Sequence, residues 1–301
     1  MSLLARVEKS LLTHVQAASG RGAPPRLLAA IEHAVFSGGA RIRPQLCLAV
    51  SMACGDNAPE LSDAAGVALE LMHCASLVHD DMPAFDNADL RRGRPTVHKA
   101  YGEPLALLTG DALIVMAYQV LANASKGHPH RLGPLMHNMS QGVGLPGGIV
   151  AGQAWECETK ADLALYQRAK TGALFVAATC AGALACGADP TPWAALGANL
   201  GEAYQVADDI RDVILSAELL GKPAGQDELH HRPSVANNLG LHGAIHHFQR
   251  LIDQAAQSVP PCTCKDMLQQ LVRLEAQRLI PAASYEACLK QAPKATLASH
   301  H

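Results

Sequence analysis

Aromatic residues are scarce in this chain: they make up 4% of 301 residues, as four Phe, five Tyr and two Trp. So thin a supply excludes an aromatic platform on which bases would stack. Charge of either sign is sparse too. The net charge is −3 and no basic run stands out, which excludes nucleic acid as a partner. Alternating runs of Val, Ile and Thr are missing, so no sheet is expected. The nine cysteines are scattered, and Cys262-Thr263-Cys264 lacks the spacing of a zinc site. Reduced thiols and a cytoplasmic location are the simplest expectation, since residues 1–21 interleave charge with short apolar pieces and do not read as a signal peptide.

What is present is apolar and helical. Hydrophobic residues make up 49% of the chain. Periodicity predicts helices over Arg26–Phe36, Leu61–His79, Pro104–Ala122, Leu163–Ala185, Trp193–Leu215 and Lys265–Leu279. Gly and Pro clusters punctuate them, at Ser37-Gly38-Gly39, Gly55-Asp56-Asn57, Gly127-His128-Pro129, 144–148, 187–192 and 221–233. The uncharged stretch 171–188 could be mistaken for a membrane span, but its Gly and Ala content suits a closely packed buried helix, so no integral membrane segment is expected. No linker separates two halves. The expectation is an all-α fold, one domain over residues 1–301, with a cavity among the helices.

Two acidic clusters sit in this apolar background. The first is Asp80-Asp81-Met82-Pro83-Ala84-Phe85-Asp86, followed by Arg91, Arg92 and Arg94; the second is Asp208-Asp209-Ile210-Arg211-Asp212. On a helix Asp208 and Asp212 lie one turn apart with Asp209 beside them, a compact oxygen site suited to Mg²⁺. In the first cluster Pro83 breaks the helix near Met82, and a loop is expected to bring Asp86 back towards Asp80. Carboxylates at a helix C-terminus oppose the macrodipole, which points to a bound cation. The arginines that follow present the forked geometry that grips phosphate. Carboxylates for metal beside arginines for phosphate suit a diphosphate.

Taken in order, these motifs resemble the polyprenyl synthetase family of trans-isoprenyl diphosphate synthases, closest in look to the bacterial geranylgeranyl type of carotenoid and photosynthetic-pigment pathways. The resemblance rests on Gly38-Gly39-Ala40-Arg41-Ile42-Arg43-Pro44, Asp80 to Gly93, Gly152-Gln153, Lys170-Thr171-Gly172, Gln205 with the second acidic cluster, and Gly221-Lys222-Pro223. It implies the isoprenoid synthase helical bundle around a central cavity, and a homodimer. It implies three Mg²⁺ held by Asp80, Asp81, Asp86, Asp208, Asp209 and Asp212, bridging an allylic diphosphate. Arg91, Lys170, Thr171, Gln205 and Lys222 resemble further contacts to that diphosphate. Arg43, His73 and Arg92 resemble the site for isopentenyl diphosphate, and Arg232 a later contact on a segment that closes over substrate. The alternatives are a farnesyl diphosphate synthase or a non-catalytic regulatory subunit. A terpene cyclase would need an aromatic-lined chamber, and a helical phosphohydrolase built on His79-Asp80 would leave the arginines and the second acidic cluster unused.

Two departures stand out. The family commonly carries lysine where this chain has Ala40; Arg41, Arg43 and Arg92 are expected to compensate. Family members that make farnesyl diphosphate commonly carry an aromatic at the position of Ala75. Here Ala75 and Ser76 are both small, one turn below the acids, with Leu71 and Met72 a turn further back and Tyr118 a second wall. One helical turn rises about 5.4 Å, close to one isoprene unit. The expectation is therefore growth past fifteen carbons and a stop at twenty.

Overall fold

The structure is a computed structural model that describes residues 2–18, 20, 22–160, 162–218 and 235–280. Lys222 and Arg232 lie outside the described residues, and of Asp212 only the backbone is described. Prolines start many of the helices, at the first turn where a missing N–H costs nothing. The chain runs α1 (Leu3–Ala17), α2 (Pro25–Val35), α3 (Ile42–Ala53) and α4 (Pro59–Asp80), then a hairpin of β1 (Leu90–Arg91) and β2 (Arg94–Pro95). It continues with α5 (Val97–Tyr101), α6 (Glu103–Ala124), α7 (Pro129–Val143), α8 (Ile149–Trp155), α9 (Leu163–Gln167), α10 (Ala173–Ala185) and α11 (Ala194–Glu218). α12 (Val235–Gln257), broken at Gly240, and α13 (Lys265–Leu279) complete it.

Two apolar clusters hold these helices together. Leu11, Leu61, Leu71, Leu113 and Leu135 anchor the first, where α4 packs along α6. Phe175, Leu196, Ile210, Leu251 and Val272 anchor the second, around α10, α11 and α12. Each such side chain contributes about 1.5–3 kcal/mol by leaving water. α3 and α10 pack against α4 and each other, and α11 packs on the far side of α10.

The all-helical expectation holds, with corrections. A two-residue antiparallel hairpin pairs Leu90 with Pro95 and Arg91 with Arg94, although no sheet was expected. The stretch 163–185 is interrupted by a π turn over Arg168–Gly172, so its uncharged part is a helix of 13 residues, Ala173–Ala185. Among the described residues, the helices long and apolar enough to cross a membrane are instead α4 and Glu103–Gly127. α4 is a core helix: 78% of its most apolar window is buried. In α6 that share is 44%, and Leu107, Leu108 and Val115 are about half exposed.

Candidate active site

The first acidic cluster is folded by its own backbone. α4 ends at Asp80, and the turn through Pro83 lets the Asp86 N–H donate to the Asp80 carbonyl at 3.0 Å. The Ala88 N–H then donates to the Asp81 carbonyl at 3.1 Å. Asp86 is thereby returned to Asp80, as the proline break predicts. Asp80, Asp86 and Glu156 present carboxylate oxygens that all lie within 4.8 Å of one another. Glu156 follows α8 and was not anticipated; its spacing of three from Gln153, on one helical face, is the signal that could have found it. It accepts from Lys170 Nζ at 2.6 Å, from the Tyr166 hydroxyl at 2.6 Å and from Gln153 Nε2 at 2.9 Å.

The electrostatics of this end call for a cation. Burial pushes the Asp80 carboxyl above its ordinary range, and Asp86 and Glu156 push the same way, against Lys170 and Arg91. Asp80 Oδ1 is buried without a hydrogen bond; Lys170 Nζ, at 3.6 Å, is too distant to make one. An all-oxygen donor set around such charge fits Mg²⁺. Asp81 has a different partner: Arg91 Nε lies 2.9 and 2.8 Å from its two oxygens and Nη2 lies 2.7 Å from one of them. Asp81 thus holds Arg91 against the site, with Arg91 Nη2 3.7 Å from Asp80.

The π turn presents Lys170 and Thr171 to the same cavity. Such turns recur at functional sites because one extra residue re-aims the side chains. Two glycines let neighbouring helices clamp it. A Cβ on Gly152 would lie 2.4 Å from the Lys170 nitrogen, and one on Gly201 would lie 2.6 Å from Gly172 Cα. The Thr171 hydroxyl donates to Gln205 Oε1 at 2.9 Å, and Gln205 Nε2 donates to Asp209 Oδ1 at 3.1 Å. The second acidic cluster is therefore divided. Asp209 is buried and braces Gln205, whereas Asp208 lines the cavity with Asp80 and pairs with Arg211. The close group of three carboxylates does not include Asp208.

The other end of the cavity is basic. Arg43 is half-buried, its guanidinium 4.5 Å from the centre of the Phe175 ring, and its Nε is buried without a hydrogen-bond partner. Burial lowers its pKa. Arg92 lies against Gly39, where a Cβ would meet Nη1 at 2.5 Å, and it donates to the Gly38 carbonyl. Burial, and then Arg43, Arg92 and Arg91, hold His73 well below its ordinary pKa, so it faces the cavity as a neutral ring. Arg41 borders the same cavity, but its guanidinium is already engaged, contrary to expectation: it donates to Glu70 at 2.7 Å, to Glu8 at 2.8 Å and to the Val35 carbonyl at 2.6 Å. Ala40 also lines the cavity, so the position where a cation is missing is open.

The cavity encloses about 270 Å³ and runs from Arg43 and His73, past Ser76 and Ile149, to Asp80, Lys170 and Asp208. Of the four positions expected to set product length, Ser76 lines it. Ala75, Leu71 and Met72 are instead packed in the first apolar cluster. A larger cavity of about 470 Å³ lies between α7, α10 and α11, with Gln205 on its wall but none of the carboxylates at 80, 86 or 156.

Known proteins resemble this chain along most of its length. Residues 24–272 match the model of the Polyprenyl synthetase family. A geranylgeranyl diphosphate synthase of Cereibacter sphaeroides is 52% identical over 282 residues, covering 94% of this chain and 98% of that protein. The geranylgeranyl diphosphate synthase of Rhodobacter capsulatus is 50% identical, with 94% and 99% covered. Among solved structures, an FPP/GFPP synthase from Zymomonas mobilis superposes with a TM-score of 0.77 at 30% identity, covering 91% of this chain and 98% of that one. With most of its length matched in sequence and in fold, and with two acidic clusters meeting a basic pocket in one cavity, this chain belongs to the polyprenyl synthetase family.

Proposed function

We propose that the protein joins isopentenyl diphosphate to an allylic diphosphate and releases geranylgeranyl diphosphate. The observation that carries this reading is the polarity of the 270 Å³ cavity: at one end Asp80 and Asp208 on its wall, with Asp86 and Glu156 crowded against Asp80, and at the other Arg43, whose buried Nε has no partner. Each end suits one diphosphate, the first through a cation and the second directly. The likeness to geranylgeranyl diphosphate synthases at 50–52% identity supports the twenty-carbon product.

Asp80, Asp86 and Glu156, with Asp208 opposite, would hold Mg²⁺, which when bound stabilises the charge of the departing diphosphate. Lys170 and Arg91, already positioned beside Asp80, bind its oxygens. Thr171 of the π turn and its hydrogen-bond partner Gln205 of α11 orient it. As the allylic C–O bond breaks, the electron pair leaves with the diphosphate. Arg43 and Arg92 hold isopentenyl diphosphate so that its terminal alkene carbon bonds to the allylic cation. The tertiary cation left at C3 of the isopentenyl unit loses a proton from C2 to the departing diphosphate, and the new allylic double bond forms between C2 and C3. Leu77 and Ile149 on the cavity wall keep water from the cation.

The product tail is proposed to run along α4 past Ser76. A second copy of this chain is proposed to cover the half-exposed Leu107, Leu108 and Val115 of α6, because Asp111, 59% exposed on the same helix, suits a protein partner better than lipid. The cytoplasm is the proposed location; burial lifts the thiol of Cys74 to about 12, which keeps it inert there. The test is a product assay with pure protein, Mg²⁺, isopentenyl diphosphate and farnesyl diphosphate. A twenty-carbon diphosphate is expected. No condensation would favour the regulatory-subunit reading, and dimethylallyl diphosphate extended only to fifteen carbons would favour a farnesyl diphosphate synthase.

A further inference from the structure

Thr96 stands at the N-cap of α5, where threonine usually accepts a hydrogen bond from an N–H of the first helical turn. Here it caps nothing. Its hydroxyl is 2.7 Å from the Ala88 carbonyl and 3.0 Å from His98 Nδ1, and both side chains are buried. A carbonyl oxygen can only accept, so the single hydroxyl proton goes to Ala88. The hydroxyl oxygen must then accept from His98, which fixes the ring proton on Nδ1. His98 Nε2, buried without a partner, is left as a bare acceptor. That cost is borne although a leucine would fill the space without it.

The far end of this relay explains its use. The Ala88 peptide is held from both sides: its N–H donates to the Asp81 carbonyl and its carbonyl accepts from Thr96. The Thr96 N–H also closes on the Asp89 carbonyl at 3.0 Å. These bonds bracket the segment that bears Asp86 and the hairpin that bears Arg91 and Arg92. We propose that His98, acting through Thr96, is a positioning residue that sets where Asp86 and Arg91 stand against Asp80 and Asp81. This inference rests on the proposed reading of those residues as the metal and diphosphate site.

Two measurements test it, and neither needs turnover. The first is ¹⁵N NMR of the histidine rings in the full chain, with the His98 signal assigned by its loss in His98→Asn. The proton is expected on Nδ1; a proton on Nε2 would overturn the relay. The second is calorimetric binding of Mg²⁺ together with inorganic diphosphate. Thr96→Val and His98→Gln should weaken it by about ten- to a hundredfold, the usual cost of losing an outer-shell partner. Thr96→Ser keeps the hydroxyl, and His98→Asn places an amide N–H where Nδ1–H was, so both should bind within a few-fold of wild type. If His98→Asn binds as weakly as His98→Gln, or if Thr96→Val binds as wild type, His98 is only packing and the proposal fails. Should the product assay fail while the tautomer and the binding pattern hold, the functional reading falls and the relay stands.

Discussion

The two ends of the cavity solve opposite problems with the same means. At one end Asp86 and Glu156 crowd negative charge against Asp80, whose burial makes its charge costly; at the other, burial does the same to the positive charge of Arg43. In both places part of the charge is neutralised and part is left over. Asp81 is taken by Arg91, and Arg41 by Glu70 and Glu8, and these pairs fix the backbone. Asp80 Oδ1 and Arg43 Nε, each buried without a hydrogen bond, are what a substrate or its cation would meet. Charge spent inside the protein builds the walls, and charge left over is what the proposed function uses for binding.

This contrast can be broken at either end. Removing a carboxylate should do most damage: Asp80→Ala is expected to lower kcat by about a thousandfold or more, with helical circular dichroism nearly unchanged. Near wild-type turnover in that variant would show that the carboxylate end is structural. At the basic end Arg43→Gln removes a charge-assisted contact of about 1.5–3 kcal/mol, so the KM for isopentenyl diphosphate should rise about ten- to a hundredfold, with a smaller change for the allylic substrate. Between the ends, product length should respond to what lines the cavity. Ser76→Phe is expected to shift the main product to fifteen carbons. Ala75→Phe, directed into the packed core, should cost stability, about 1–3 kcal/mol for overpacking, and change product length less. The reverse order would restore Ala75 as the gate.

Smaller effects sharpen the same picture. Ala40→Lys adds a cation at an open position and should lower the KM for isopentenyl diphosphate a few-fold; a rise would mean that the pocket has been rebuilt around alanine. His73 makes the finest distinction. Its folded pKa is depressed, so the unfolded chain binds the extra proton first, and stability should fall as pH drops through 6.5, the ordinary value. His14 is shifted the same way and contributes to the same slope. Denaturant titration of His73→Gln across that window should show a shallower pH dependence than wild type; an unchanged slope would leave His14 as its source.

How much of this was legible in the sequence depended on whether a local rule governed each residue. Pro83 must break a helix, so the return of Asp86 to Asp80 could be read directly. α13 was read with its observed ends because its apolar face is periodic. α3 was missed because nine of its twelve residues are buried, which erases the periodicity that marks an amphipathic helix. α7, with Pro134 inside, and α12, broken at Gly240, were missed because each carries a breaker. Arg41 and Arg43 look equivalent in sequence and both border the cavity; the first is taken by Glu70 and Glu8, acids distant in the sequence, a pairing that no local rule reveals. Glu156 had only its spacing from Gln153 as a signal, because its role depends on Tyr166 of α9 and on Lys170, which the π turn brings to it. No local pattern announces such a turn.

The division of labour between the two ends is tested most directly by calorimetry on Asp80→Ala and Arg43→Gln. Each variant is titrated separately, in Mg²⁺, with isopentenyl diphosphate and with a non-ionisable thio analogue of farnesyl diphosphate. Asp80→Ala should lose affinity for the allylic analogue and keep it for isopentenyl diphosphate, and Arg43→Gln should do the reverse. Loss of both ligands in either variant, or the same ligand lost in both, would contradict an account in which each end holds one diphosphate.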